Sequence, residues 1–212
     1  MNILVTGGSS GLGKSIVEKL CSGKKNHIYF TYNNSLENSE NICSKYPNTT
    51  SLKCDFTNKS ELNEFLENFK NLNINVLINN FYSWHKDPLM PGTFLTKNFH
   101  KMDHNIFIDE FKNNIIPTIL ITQEAIKCFR INKSGNIITV LSSIIETPTI
   151  GSSLYVSNKN YLSALAKVWA VENKRFNITS NTISPSFMLT PQTLKMDERL
   201  MDLYKNSTNK LM

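Results

Sequence analysis

The chain lacks the cysteine arrangements that mark a zinc site or a disulfide framework. Cys21, Cys43, Cys54 and Cys128 lie far apart, with no Cys-x-x-Cys pair and no histidine cluster, so reduced, partly buried thiols are expected. It also lacks an apolar run long enough to cross a bilayer. No membrane span is expected. No basic leader with an apolar stretch and a small-residue cleavage site stands before Met1-Asn2-Ile3-Leu4-Val5, which points to a cytoplasmic protein. Internal repeats, low-complexity tracts and linkers are missing too, and 212 residues suit one domain over 1–212. Acids are the scarcer charge, with 17 Asp and Glu against 23 Lys and Arg, a net +6. That balance permits attraction to nucleic acid, yet acids are interleaved among the lysines, the pattern of a solvated basic surface that also draws an anionic cofactor. No nucleic-acid partner is expected.

What is present is an alternation of short apolar runs and helical stripes. Ile3 to Thr6, His27 to Tyr32, Ser51 to Cys54, Val76 to Ile78, Ile137 to Leu141 and Ile178 to Ile183 read as strands. Leu12 to Cys21, Leu36 to Lys45, the stripe Leu62, Phe65, Leu66 and Phe69, Phe111 to Phe129, and Tyr155 to Lys174 read as helices. Thr57 to Glu61 are polar residues able to cap the third helix. Pro117 requires the fourth helix to begin near it or to bend. Phe81 to Asn105, with Pro88, Pro91 and Gly92, reads as loop with at most short helices, and Met196 to Met212 as a polar, weakly amphipathic tail. This alternation implies parallel strands joined by right-handed crossovers: an α/β, doubly wound parallel sheet of the Rossmann type in three layers.

Two motifs carry chemistry. Thr6-Gly7-Gly8-Ser9-Ser10-Gly11-Leu12-Gly13 falls between the first strand and the first helix, where a glycine-rich turn offers backbone and a helix N-terminus to a pyrophosphate. Gly7 permits the tight turn, Gly11 a close backbone approach, and Gly13 close packing of helix on sheet. Ser9, Ser10 and Leu12 belong to the same turn. Tyr155-Val156-Ser157-Asn158-Lys159 opens the last long helix, so Tyr155 and Lys159 share one face. An ammonium there favours phenolate and draws the tyrosine pKa down from about 10 toward working pH, as a general acid/base requires.

With its Thr-Gly-x-x-x-Gly-x-Gly and Tyr-x-x-x-Lys spacings, the chain resembles the short-chain dehydrogenase/reductase family over nearly its whole length. The resemblance implies that Asp55, with Phe56 beside it, holds the adenine amino group, and that Asn79 and Asn80 match the family's Asn-Asn-Ala-Gly, with Phe81 and Tyr82 replacing the small residues. Bulk there would narrow the cofactor channel. Asn114 is similar to the helix Asn that supports a water in the family's proton relay, and Ser142 to its catalytic Ser, with Ser143 the fallback. The segment from Asn181 to Thr190, including Pro185, Phe187, Met188 and Thr190, resembles the one that holds the nicotinamide carboxamide, with Ser186 where the family usually has Gly.

These matches imply hydride transfer between nicotinamide C4 and a carbonyl or alcohol carbon, Tyr155 moving the proton, Ser142 orienting the substrate oxygen and Lys159 also holding ribose hydroxyls. No metal is required. Thr31-Tyr32-Asn33-Asn34-Ser35 contains no acid to accept the NAD 2′-hydroxyl, and Lys14 follows Gly13, so NADP is expected, with NAD the alternative. A small carbonyl or alcohol substrate is expected between Tyr82, Trp84 and the His85 loop on one side and Leu189 and Thr190 on the other. The resemblance further implies a homodimer or homotetramer through helices 111–129 and 155–174, with Phe129 and Trp169 at the interface. Because the family usually continues beyond this segment and the chain stops at Met212, the sheet is expected to lack the family's last strand. That departure keeps a second function open, a catalytically weak nucleotide-sensing or interaction protein on the same scaffold.

Overall fold

Helical crossovers separate successive strands, and every strand pair in the sheet is parallel. The computed structural model describes residues 1–23, 25–84, 95–199 and 201–202. In chain order its elements are β1 (Asn2–Val5), α1 (Gly11–Cys21), β2 (His27–Tyr32), α2 (Leu36–Lys45), β3 (Thr49–Lys53), α3 (Lys59–Asn68), β4 (Val76–Asn79), α4 (His104–Glu110), α5 (Ile116–Asn132), β5 (Gly135–Val140), α6 (Ser153–Asn173) and β6 (Ile178–Ile183). His85, Pro88, Pro91 and Gly92, expected in a loop, lie outside the described residues, as does the tail from 203 onward.

Alternation along β1 sets the layers. Ile3 and Val5 enter one core with Val17 and Cys21 of α1 and Ile42 of α2, whereas Leu4 enters the other with Leu62 of α3, Ile121 and Phe129 of α5, and Trp169 of α6. The sheet is therefore sandwiched between helices, the three-layer α/β arrangement expected. Phe129 and Trp169, expected at a subunit interface, are instead 0% and 8% exposed within this chain. Their stripes are spent on the core, which leaves them nothing to offer a partner.

Strand order is β3-β2-β1-β4-β5-β6. The chain builds outward from β1 to β3 and then returns to lay β4 on the other side of β1. Segments leaving β1 and β4 run to opposite faces, and the crevice between them at the strands' carboxyl ends is where open α/β sheets bind ligands. Among the described residues the sheet has six strands, and its edge strand β6 is exposed at Thr179, Asn181, Thr182 and Ile183. No described helix is long and apolar enough to cross a membrane.

Of the two forms expected at Pro117, the structure has the first: a helix, α5, begins beside it at Ile116. Phe111–Ile115 form a π-helical turn between α4 and α5, and Pro117 falls in the first turn of α5, where a missing N–H leaves no bond unmade. The third helix is capped as expected: Asn58 accepts from the N–H groups of Ser60 and Glu61.

Candidate active site

The glycine loop is held from both sides of the crevice. From β2, the Thr31 hydroxyl accepts from Gly7 N–H at 2.8 Å and the Thr31 carbonyl from Gly8 N–H at 2.9 Å. From the end of β4, the Asn80 side-chain amide donates to the carbonyls of Thr6 and Gly7, each at 3.0 Å. Thr6 answers, its hydroxyl accepting from the N–H groups of Asn80 at 3.0 Å and Phe81 at 3.1 Å. Asn80 is thus a clamp that fixes the loop's shape. A Cβ at Gly13 would stand 2.1 Å from the Gly7 carbonyl oxygen, so this glycine admits the loop against the helix rather than the helix against the sheet. Gly11, at φ +52°, has only Thr190 at 3.7 Å near its missing side chain, which leaves its backbone open to the crevice.

That crevice is a cleft of about 780 Å³, within the roughly 300–1,000 Å³ of cofactor and ligand sites. Gly7, Ser9, Ser10, Gly11, Leu12 and Gly13 form its floor, and Tyr32, Asn33 and Asn34 its far rim. Phe56 and Asn80 line it beside them, and Pro185, Phe187, Met188 and Thr190 face them. Lys14 lies outside this cleft, in a shallower groove with Leu189 and Pro191. Asp55 stands beside the wall rather than in it: its Oδ1 accepts from Thr57 N–H at 2.9 Å and from the Thr57 hydroxyl at 2.7 Å, while Cys54 and Phe56 face the cleft. Asn79 points the other way, donating to the Thr122 hydroxyl of α5 at 2.9 Å.

Ser142, Tyr155 and Lys159 meet on one wall of the cleft. Ser142 follows β5 and opens a short 3-10 turn, Ser143 N–H being anchored on the Pro185 carbonyl at 3.0 Å. Its side chain hydrogen-bonds Tyr155, which α6 presents one turn before Lys159. Lys159 is 3% exposed and donates to the Val140 carbonyl at the end of β5, at 2.8 Å. Its ammonium lies 5.6 Å from the centre of the Tyr155 ring.

The electrostatics correct one expectation. Burial pushes the Tyr155 phenol up to about 12, with the Ser142 bond pulling partly back, and burial alone takes Lys159 down to about 8. Desolvation outweighs the Ser142 bond, so Tyr155 is a phenol and not a phenolate at neutral pH. The arrangement suits a proton donor.

Asn114 sits in the π turn, 1% exposed. Its Oδ1 accepts from Ser83 N–H at 2.6 Å and its Nδ2 donates to the Ser83 carbonyl at 3.0 Å, while a second bond runs from Nδ2 to Glu110 at 3.0 Å. It therefore clamps the segment leaving β4, and its own carbonyl is taken by the Thr118 hydroxyl at 2.9 Å. Two further residues, Glu110 and Asn158, escape a reading of motifs, and both hold Tyr82, which lines the cleft as expected. The Tyr82 hydroxyl donates to Glu110 at 3.3 Å and accepts from the Asn158 amide at 3.2 Å. Signals for both were available: Glu110 stands one helical turn before Asn114, and Asn158 adjoins Lys159.

Residues 1–200 match the model of the short chain dehydrogenase family. The chain belongs to that family. A 3-oxoacyl-[acyl-carrier-protein] reductase of Aquifex aeolicus (strain VF5) is 26% identical over 207 residues, covering 95% of this chain and 79% of the relative. A tropinone reductase homolog of Arabidopsis thaliana is 28% identical over 204 residues, covering 93% and 72%. Among solved structures, a short chain dehydrogenase/reductase family protein superposes with a TM-score of 0.80 at 21% identity, covering 95% of this chain and 79% of that one. An actinorhodin polyketide ketoreductase with NADPH gives 0.79 at 18% identity, covering 96% and 76%. This short-chain dehydrogenase is accordingly an oxidoreductase of the family, with the family's fold.

Proposed function

We propose that this short-chain dehydrogenase reduces a ketone on a small molecule with NADPH, Tyr155 delivering the proton that ends on the carbonyl oxygen. The observation that carries the reading is the meeting of Ser142, Tyr155 and Lys159 on the wall of the cleft that the glycine loop floors. The open backbone at Gly11 and the N-terminus of α1 suit a pyrophosphate. A bound nicotinamide supplies the hydride. Ser142 holds the substrate oxygen beside Tyr155, and Tyr155 gives up its proton as negative charge develops there. Lys159, with one ammonium proton on Val140, keeps others for the ribose hydroxyls and steadies the phenolate left behind. Asn114 is proposed to support proton resupply by fixing the wall beside them, and Asp55 to border the adenine end next to Phe56.

A preference for NADPH is favoured at the far rim. Tyr32, Asn33, Asn34 and Ser35 carry no negative charge, Ser35 leaves α2 without a side-chain cap bond, and Lys53 is the register neighbour of Tyr32 on β3. Neutral donors beside a cation suit a 2′-phosphate. The named activities of the relatives, a 3-oxoacyl thioester reductase and tropinone reductase homologs, favour ketone reduction. NADPH oxidation, followed by absorbance against 3-oxoacyl thioesters, cyclic ketones and diketones, is expected on at least one of them, with NADPH preferred over NADH by at least about tenfold, a difference of about 1.4 kcal/mol. Phe81 and Tyr82, bulky residues in the cleft wall, favour one competitor, a protein that binds the nucleotide without turnover. Tight NADPH binding with no oxidation on any ketone would establish that competitor.

Assembly as a homodimer is proposed through the outer face of α6, where Tyr161, Val168 and Val171 are exposed at 44%, 46% and 78%. Sedimentation at the monomer mass would remove it.

A further inference from the structure

The Tyr82 ring packs beside both groups to which the proposed reaction assigns its proton transfer, Tyr155 and Lys159. It meets the Tyr155 ring edge to face, centroids 4.9 Å apart at 79°, and the Lys159 ammonium stands 5.0 Å from its centre. Nothing about this placement is loose. The hydroxyl is held by Glu110 and Asn158, and the next residue, Ser83, is bound through both its N–H and its carbonyl to the Asn114 side chain.

Lys159 has been taken out of water, and its ammonium meets one carbonyl, that of Val140, and two aromatic rings, those of Tyr82 and Tyr155. An aromatic face stabilises an ammonium without fixing any one N–H direction. A carboxylate in the same place would engage the donors that the ribose needs. Glu110 acts from behind, accepting the Tyr82 proton in a hydrogen bond and so raising the electron density of the ring that Lys159 faces.

We propose that Tyr82 is a positioning residue for this reaction: anchored by Glu110 and Asn158, its ring keeps the Lys159 amine in its charged form and seats Tyr155 against Ser142. The proposal rests on the reading of Tyr155 as proton donor and Lys159 as its partner. The titratable groups around Lys159 among the described residues are Tyr155 on α6, Tyr82 beyond β4, and Glu110 at the end of α4 behind it. Burial and Glu110 both raise the Tyr82 phenol well above its usual range, so it remains neutral and serves through its ring rather than as a second acid.

The test reads Lys159 directly and needs no turnover. In protein carrying 13C at the lysine ε-carbons, the resonance absent from Lys159→Met is that of Lys159, and its midpoint is expected near pH 8. Weakening the ring face favours the neutral amine, so the midpoint should fall by about half a pH unit in Tyr82→Phe, which keeps the ring but loses the hydroxyl held by Glu110, and by about one unit in Tyr82→Leu, which loses the ring itself. The alkaline limb of kcat/KM for NADPH-dependent reduction should move to lower pH by the same amount. Phenylalanines bearing one, two and three fluorines at position 82 keep the size of the ring while weakening its face, so they decide the matter even if the leucine variant does not fold. A stepwise fall of the Lys159 midpoint along that series supports the proposal; a midpoint unchanged or raised along it overturns it. Wild-type protein that binds NADPH but reduces nothing would instead sink the proposed reaction while the lysine titration still reports on Tyr82.

Discussion

Tyr155→Phe should lower kcat/KM for ketone reduction by about 10³-fold, inside the 10²–10⁴ that a positioned general acid supplies, while NADPH affinity stays within about threefold, under 1 kcal/mol. Phenylalanine preserves the ring that packs on Tyr82 at 4.9 Å and lies 6.3 Å from Trp84, so the wall of the cleft survives. Only the hydroxyl bonded to Ser142 is lost. The other phenol beside it, Tyr82, is turned to Glu110 and Asn158, and burial raises it as well. With Tyr155 pushed up to about 12, its proton is present throughout the neutral range. Loss of reductase activity on the alkaline side should therefore begin near pH 8, where Lys159 loses its charge. A pH–rate profile limited by a group near 10 would contradict this assignment.

Lys159→Met should be inactive and yet more stable. Burial lowers the lysine from 10.5 to about 8, and a shift of that size corresponds to about 3 kcal/mol of native-state cost at pH 7. Below pH 8 both folded and unfolded chains hold the proton and the whole cost stands; between 8 and 10.5 the unfolded chain holds a proton that the folded one has released, so stability rises with pH. Methionine removes the charge but leaves the Val140 carbonyl without its donor, a loss of about 1–2 kcal/mol. The expected net gain at pH 7 is about 1–2 kcal/mol, read from denaturant unfolding.

Cys21 and Cys54, raised from 9.0 to about 11 and 12, act in the opposite sense above pH 9. They cancel in the difference between wild type and variant, which should shrink from pH 8 upward and change sign at about pH 9. A variant less stable than wild type at pH 7 would mean that the buried ammonium is better compensated than its surroundings suggest. For turnover, loss of the cation beside Tyr155 and of the ribose contact should together reduce kcat/KM by at least about 10³-fold.

Much of the architecture was legible because apolar period and turn chemistry agree along most of the chain. β2, α2 and β6 fall where their patterns end, and the glycine loop sits at the strand–helix junction that gives such a loop its meaning. Side-chain direction was harder to read. Asn79 and Asn80 are successive residues at the end of β4, so their side chains leave on opposite faces and only Asn80 reaches the cleft. Pro117 marked where α5 begins, but nothing in the pattern announced the π turn before it. Phe129 and Trp169 show how an apolar stripe fails to distinguish core from interface. The Tyr155–Lys159 pairing was readable from spacing alone. Its electrostatics were not, since burial of each group depends on β5, the Tyr82 segment and α4, none of them local in sequence.

The most direct test of the central claim, that Tyr155 protonates a ketone oxygen as hydride reaches the adjacent carbon, uses NADPH deuterated at both C4 positions. Incubated with wild type and a ketone that it reduces, the cofactor should place one deuterium on the carbinol carbon of the product, seen by mass spectrometry. Tyr155→Phe should bind the same cofactor with similar affinity and yield about a thousandth of the labelled alcohol. Wild-type product without the label, or a phenylalanine variant that forms labelled alcohol within tenfold of the wild-type rate, would contradict the account.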